Sequence, residues 1–385
     1  MRQAARLDHQ ERLTTGDPKI AEALLGALRH ADEVERGTHG FHTYPAGLHP
    51  DAARDLVRLF PARRLLDPFC GGGTVLVEGR IAGLETEGRD LSQVAVRVAR
   101  ARTSTPSDEL LTELRSHARR MTAAARGKLE EPPEWIREAL GQWYADFVLA
   151  ELWALRTQIA EVEGPTRAWL EVIFSSIVVK TSWRNSDTSA KRVKHRRPEG
   201  TAPVLFHKKA RELARRMVAL RELVPEGTPE TRLDLQDARQ LRVRPKVDLV
   251  VTSPPYPSTY DYLPLQHIRR VWLGDVEAEA IDREIGSRRS WRQEGAKQAR
   301  RVWAEDTKTW TRSMAAALED GGHAIIVIGD GLHPAGVVDT VEPTVTALRA
   351  AGLREVGRAS VARPDHARGT VRWEHIIASQ KDPAT

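Results

Sequence analysis

Val247-Asp248-Leu249-Val250-Val251-Thr252-Ser253-Pro254-Pro255-Tyr256 joins a β-branched apolar run to two consecutive prolines. The run predicts a buried strand. The prolines end it, because neither can donate to a sheet ladder, so the strand must present a rigid turn at its carboxyl edge. In open α/β sheets that edge is where ligands bind. The turn offers the Ser253 hydroxyl, the Pro254 carbonyl and the aromatic face of Tyr256. That set suits gripping an exocyclic amino group on a flat heterocycle.

A second stretch carries the other half of the argument. Arg64-Leu-Leu-Asp67-Pro68-Phe69-Cys70-Gly71-Gly72-Gly73-Thr74 reads as a short strand, a glycine turn and a helix start. Glycines let backbone approach a ligand closely. No lysine follows Gly73, so the turn is not a triphosphate loop. Asp90, followed by Leu91, lies about twenty residues on, where a doubly wound fold places an acid on ribose hydroxyls. A helix N-cap is the plainer role for Asp90, and both roles are compatible. For Asp67, capping the glycine turn and binding a ligand amine through nearby groups weigh equally.

These stretches resemble the amino-group DNA methyltransferases. Asp67-Pro68-Phe69-Cys70-Gly71-Gly72-Gly73-Thr74 is similar to their S-adenosylmethionine loop. Thr252-Ser253-Pro254-Pro255-Tyr256 is similar to their catalytic motif, in the serine form typical of N4-cytosine enzymes. His39 to Pro50, with Phe41, His42, Tyr44 and Pro45, resembles the segment closing over the methionine end of the cofactor. Thr231 to Arg239, with Asp237 and Ala238, resembles the strand end that reaches the adenine. The resemblance covers roughly residues 38–100 and 229–380. It implies an α/β fold: a class I Rossmann-like sheet with a helical insertion between the second and third strands. It also implies S-adenosyl-L-methionine as cofactor and a base in DNA as substrate. Cytosine N4 is the first expectation. Adenine N6, an amino group in structured RNA, and a non-catalytic DNA-binding protein are the alternatives. Many N4-cytosine enzymes place the catalytic motif before the cofactor motif; here the order is reversed.

Expected divisions are 1–105 (cofactor half), 106–228 (basic helical insertion) and 229–385 (catalytic half). Helices are expected at 17–36, 52–60 with Asp51 as N-cap, and 92–103. Leu, Ala, Trp and Arg dominate from 105 to about 222, without strand-like alternation. Strands are expected near 232–235, 247–251, 323–329, 353–361 and 371–378, the last two as a closing hairpin. Alternating strands and helices give a parallel sheet.

Composition narrows the class. Apolar residues make up 41%, no apolar run approaches the length of a membrane span, and no signal-peptide pattern opens the chain. The single cysteine excludes an internal disulfide and fits a reducing cytosol, so the expected location is cytoplasmic. Cys70 lies in the cofactor turn rather than the catalytic loop, which argues for packing and against cytosine-C5 chemistry. His39, His42 and His49 lack metal-site spacing.

The net charge of +6 suits a polyanionic partner. Between Lys180 and Arg216 stand twelve Lys or Arg against three acids, a net +9. Within this stretch Trp183, Arg184, Lys191, Arg192, Lys194, Arg196 and Arg197 are the expected nucleic-acid contacts. The run 208–216 reads more simply as a solvated helix face. A second basic stretch, Arg283 to Arg301 with Trp291, is expected near the same groove.

Overall fold

A computed structural model describes residues 12–42, 44, 47–127, 129–186, 189–194, 197–275, 278–365 and 370–383. Eight strands form its main sheet: β1 (Arg12–Gly16), β2 (Arg64–Asp67), β3 (Glu85–Asp90), β6 (Arg232–Leu235), β7 (Val247–Thr252), β8 (Leu318–Gly329), β11 (Leu353–Asp365) and β12 (Thr370–Lys381). Their spatial order is β1-β11-β12-β8-β7-β2-β3-β6. From β6 to β8 the neighbours run parallel, while β12 is antiparallel to both β8 and β11. Counted from β2, the order is 3-2-1-4-5-7-6. This is the class I methyltransferase sheet, and its chain reversal lies between β2 and β7.

The apolar runs form strands because both sheet faces are covered. Successive residues alternate sides. Leu65, Leu249, Val251, Ile325 and Val327 pack on one face with Leu24 and Leu28 of α1 (Pro18–Leu28) and Leu56 of α2 (Pro50–Val57). Leu66, Val250, Ala324, Ile326 and Ile328 pack on the other with Trp303, Trp310 and Met314 of α14 (Ala296–Ala317). Each fully buried aliphatic side chain contributes roughly 1.5–3 kcal/mol.

Several expectations need correction. The first helix ends at Leu28, where its apolar spacing stops, not at 36. The second is capped by His49, whose Nδ1 accepts from Asp51 N at 3.2 Å; Pro50 takes the first helical position that suits its fixed φ. β1 was not expected. It pairs with β11 through backbone, and its residues are largely exposed.

Between β3 and β6 the chain leaves the sheet after α4 (Gln93–Thr103). It then forms α5 (Asp108–Ala124), α6 (Glu134–Leu140), α7 (Asp146–Ala160), α8 (Pro165–Thr181) and α9 (Thr201–Leu223). These helices share one core with Val94, Val98 and Ala101 of α4. The expectation of helix throughout fails at one place: β4 (Arg184–Ser186) and β5 (Ser189–Arg192) form a hairpin. No helix among the described residues is long and apolar enough to cross a membrane.

Candidate active site

The glycine turn at the end of β2 is shaped by backbone constraints. Gly73 has φ +77°, and a Cβ there would lie 3.0 Å from Ala99 Cα, so only glycine lets α3 (Thr74–Ile81) pack against α4. Cys70 N bonds Arg89 O at 2.9 Å, and Gly73 N bonds Cys70 O at 2.7 Å. Asp90 Oδ2 accepts from Gly71 N at 2.9 Å, and its Oδ1 accepts from Ser92 N at 2.8 Å. The acid at the end of β3 thus ties the turn to the start of α4, where Ser92 is the N-cap. The helix-cap role weighed for Asp90 belongs to Ser92. Asp67 Oδ1 accepts from Thr252 Oγ1 at 2.6 Å, joining the ends of β2 and β7.

A buried network backs the turn. Arg102 Nη1 donates to Gly72 O at 2.7 Å, and its Nη2 approaches His39 Nδ1 at 3.0 Å. His39 Nε2 lies 2.6 Å from Glu78, which also receives Arg36. Burial pushes the His39 imidazole below its usual pKa, against the pull of Glu78. A neutral ring donating to Glu78 and accepting from Arg102 satisfies both contacts. His39 is structural, not a metal ligand.

A cleft of about 970 Å³ of empty volume, open solvent at its mouth included, lies above this turn. Tyr44, Asp67, Pro68, Phe69 and Gly71 line it, as do Thr74, Asp90, Leu91, Asp237 and Ala238. Ser253 and Pro255 close it from the catalytic turn. Three expected residues stand elsewhere. Phe41 is fully buried in the core shared with the insertion, where burying its ring outweighs exposing it in a cleft. His42, also buried, bonds Ser175 Oγ at 2.9 Å. Gly73 serves the helix start behind the cleft. Pro45 lies outside the described residues.

Sequence reasoning missed Tyr262, Leu263, Glu284 and Ile285, which line the cleft from the segment after the catalytic turn. One signal was available. Four of the chain's five tyrosines fall in Tyr44 and the interval 256–262, too clustered for a packing role alone.

The cleft's carboxylates are poised for a cation. Burial raises Asp67 to about 7 and Asp90 to about 6. Burial likewise raises Glu284 to about 8. For Asp237, burial is outweighed by its pairing with Arg239, at 2.7 Å, and the carboxyl sits below its ordinary value. Cys70 is buried in the cleft wall; burial, with Asp90 and Asp67 nearby, pushes its thiol pKa well up, so it stays protonated. Arg283 also lines the cleft and acts on Asp237, while Asp67 and Asp90, above the glycine cradle, are held by neutral hydrogen-bond donors and fit a sulfonium and an ammonium on one small molecule. The donor set therefore suits S-adenosylmethionine.

Beyond Ser253 lies a second cavity of about 740 Å³, open solvent included, lined by Tyr256, Thr259, Tyr260, His30, Arg372 and Glu374 among others. Ser253 lines both cavities. Tyr256 fits because β8 ends in Gly329, where a Cβ would stand 2.6 Å from the Tyr256 ring. Burial pushes the Tyr256 hydroxyl's pKa up, with Glu374 and Ser253 among the groups acting on it. A Ser253 hydroxyl turned to donate toward Tyr256 keeps its Oγ lone pairs for a ligand. Pro254 is buried between its lining neighbours.

The basic segment divides. Arg192 and Lys194 are exposed and lie 4.8 and 5.3 Å from the Trp183 ring. Lys191 is exposed and Arg197 half-buried; Arg196 lies outside the described residues. Arg184 is a correction. It is buried and donates to Leu265 O at 2.7 Å, because a guanidinium satisfies a carbonyl left unpaired at a helix end. Trp291 is likewise a buried core residue, and Arg288 donates to Thr259 O, which holds the loop.

The sheet order is that of the class I S-adenosylmethionine-dependent methyltransferases, with the cleft at the carboxyl edge of the sheet. Residues 40–130 match the family UPF0020, RMKL-like, methyltransferase domain. A type II methyltransferase, M.MvaI of Kocuria varians, is 28% identical over 262 residues, covering 61% of this chain and 57% of that protein. The match therefore spans little more than half of that relative. Both findings are similarities to methyltransferases over part of the chain. Among solved structures, TrmN from Thermus thermophilus is 14% identical, covering 86% of this chain and 48% of that one, with TM-score 0.32. The rRNA methyltransferase aviRa from Streptomyces viridochromogenes is 14% identical, covering 88% of each, with TM-score 0.34. The fold assignment rests on the strand order, not on these two likenesses.

Proposed function

We propose that this enzyme methylates an exocyclic amino nitrogen of a base in DNA, cytosine N4, by direct transfer to a base turned out of the duplex. The observation that carries the reading is the position of Ser253 in the wall common to the cofactor cleft and the second cavity. Bound S-adenosylmethionine supplies an electrophilic methyl group on a sulfonium.

The chain's residues do the rest. Asp67 and Asp90 offer the cofactor buried negative charge, and the turn around Gly71 admits it closely. In the second cavity the Ser253 hydroxyl accepts one amino hydrogen, and the Pro254 carbonyl accepts the other. Two acceptors favour an sp³-like nitrogen and stabilise the charge it develops. Tyr256 holds Ser253 in its accepting orientation and flanks the base. Holding the nitrogen in line supplies the orientation that a weak nucleophile needs. The serine form of the catalytic motif supports cytosine N4, and the similarity to a type II methyltransferase supports methyl transfer.

Labelled cofactor incubated with DNA and with RNA, followed by mass spectrometry of the nucleosides, tests the reading. N4-methylcytosine from DNA is expected. Methyladenine from DNA, or product from RNA alone, would replace the substrate named here.

A further inference from the structure

We infer that the groove between α5 and α9 holds the phosphate backbone of duplex DNA, at a surface separate from the 183–197 segment. Arg115 and Arg119 stand on one wall, and Lys208, Arg211 and Arg215 on the other. All five are exposed. Their spacings, i to i+4 on α5 and i, i+3, i+7 on α9, put each set on one helix face. Ala118 and Ala210 are buried in the floor, so the helices approach closely and the two rows of charge face each other.

None of these five cations has a hydrogen bond or ion pair among the described residues. Glu212 is the acid that lines the groove, and it is taken by Lys209 at 2.6 Å and Arg216 at 3.2 Å. His207 Nδ1 faces the same groove, buried and without a partner. Exposed cations elsewhere on helices behave differently. Arg137 pairs with Glu131 and Glu134, Arg167 with Glu171, and Lys308 with Glu305. A face evolved only to be solvated gains from such pairs, and like charges one turn apart repel. Opposed, unneutralised rows lining one groove are a persistent cost that a polyanion removes. The row from Lys208 to Arg215 is roughly 10 Å long. That spans about three steps of a DNA strand.

The inference rests on the proposed function only for the identity of the polyanion, and its test reads binding rather than turnover. The full chain is titrated with a short labelled DNA duplex across a salt series. Replacing Arg115, Arg119, Lys208, Arg211 and Arg215 with Ala is expected to weaken binding at least tenfold at low salt. The slope of log affinity against log salt should flatten by up to ~4.5, at ~0.9 per phosphate contact. Exchanging the four arginines for Lys, and Lys208 for Arg, should keep both. An unchanged slope in an alanine variant with normal cofactor affinity overturns the inference. So does displacement of the duplex by polyglutamate at equal charge, which assigns the groove to an acidic protein. If the alanine variant loses cofactor affinity, the single change Arg215→Glu decides by the same slope. Groove-dependent binding without DNA methylation by the wild-type protein would strike the proposed reaction and leave this surface standing.

Discussion

At the carboxyl edge of the sheet, charge is buried and tied down: Asp90 holds two backbone amides, Asp67 a threonine hydroxyl, and Asp237 an arginine. In the α5–α9 groove, charge is exposed and tied to nothing described. The first region has spent its desolvation cost during folding, which leaves a rigid receptor for a small cation. The second leaves that cost to be recovered when an anion arrives. Affinity at the edge should therefore answer to pH and single atoms, and affinity in the groove to salt and total charge.

The sharpest test of the edge is Ser253→Ala. It removes one preorganised acceptor and should lower methyl transfer by ~10²-fold, with cofactor affinity nearly unchanged. Equal losses in both, measured by single-turnover kinetics and calorimetry, would make Ser253 a cofactor residue and dissolve the division between the two cavities. Tyr256→Phe should reproduce part of that loss in turnover, because the ring remains while the bond that orients Ser253 disappears.

Asp90→Ala should weaken cofactor binding by about 10–100-fold, the scale of charge-assisted hydrogen bonds worth roughly 1.5–3 kcal/mol. Calorimetry on a folded variant with wild-type affinity would confine Asp90 to holding the glycine turn.

The pH response follows from sign. Burial raises Asp67 to about 7 and Asp90 to about 6, so the cofactor-free protein favours the protonated acids. Their contribution to stability is present at low pH and lost as pH rises through those values. A bound cation favours the ionised acids, so cofactor affinity should rise over the same interval and then level off. Calorimetry between pH ~5 and ~8 should show proton release on binding. A flat profile would mean that neither carboxylate senses the ligand's charge.

The smallest expected effects separate two arginines of one segment. Arg184→Ala breaks a buried hydrogen bond and should destabilise the fold by roughly 1–3 kcal/mol without altering the salt slope of DNA binding. Replacing Lys191, Arg192 and Lys194 with Ala should flatten that slope by up to ~0.9 per contact and leave thermal stability unchanged. A salt-slope change from Arg184→Ala alone would return it to the nucleic-acid surface.

Local chemistry was enough for the sheet core and the glycine turn. Apolar runs ended by Pro-Pro or Gly-Gly-Gly have few other foldings, and Asp67, Asp90 and Ser253 all reach the cleft. What sequence hid depends on partners distant in the chain. β1 shows no apolar alternation, because it is an edge strand held by backbone. Phe41 and His42 look like their cleft-lining neighbours until the insertion packs over them. Arg184 is indistinguishable from Arg192 until a carbonyl 81 residues away claims it. The 208–216 run resembles a solvated face because Arg115 and Arg119, on another helix, complete the groove.

The hydrogen bond from Arg184 to Leu265 O has a consequence for communication within the molecule. Leu265 closes a four-residue helix whose Tyr262 and Leu263 line the cofactor cleft. Arg184 begins the basic hairpin. A single bond thus splices the outermost cationic loop to the wall around the methyl donor. A strand bound to the hairpin would act, through this bond, on the helix that carries Tyr262 and Leu263 without crossing the sheet. Linkage makes the traffic reciprocal: whatever factor a nucleic acid imposes on cofactor affinity, the cofactor imposes on the nucleic acid.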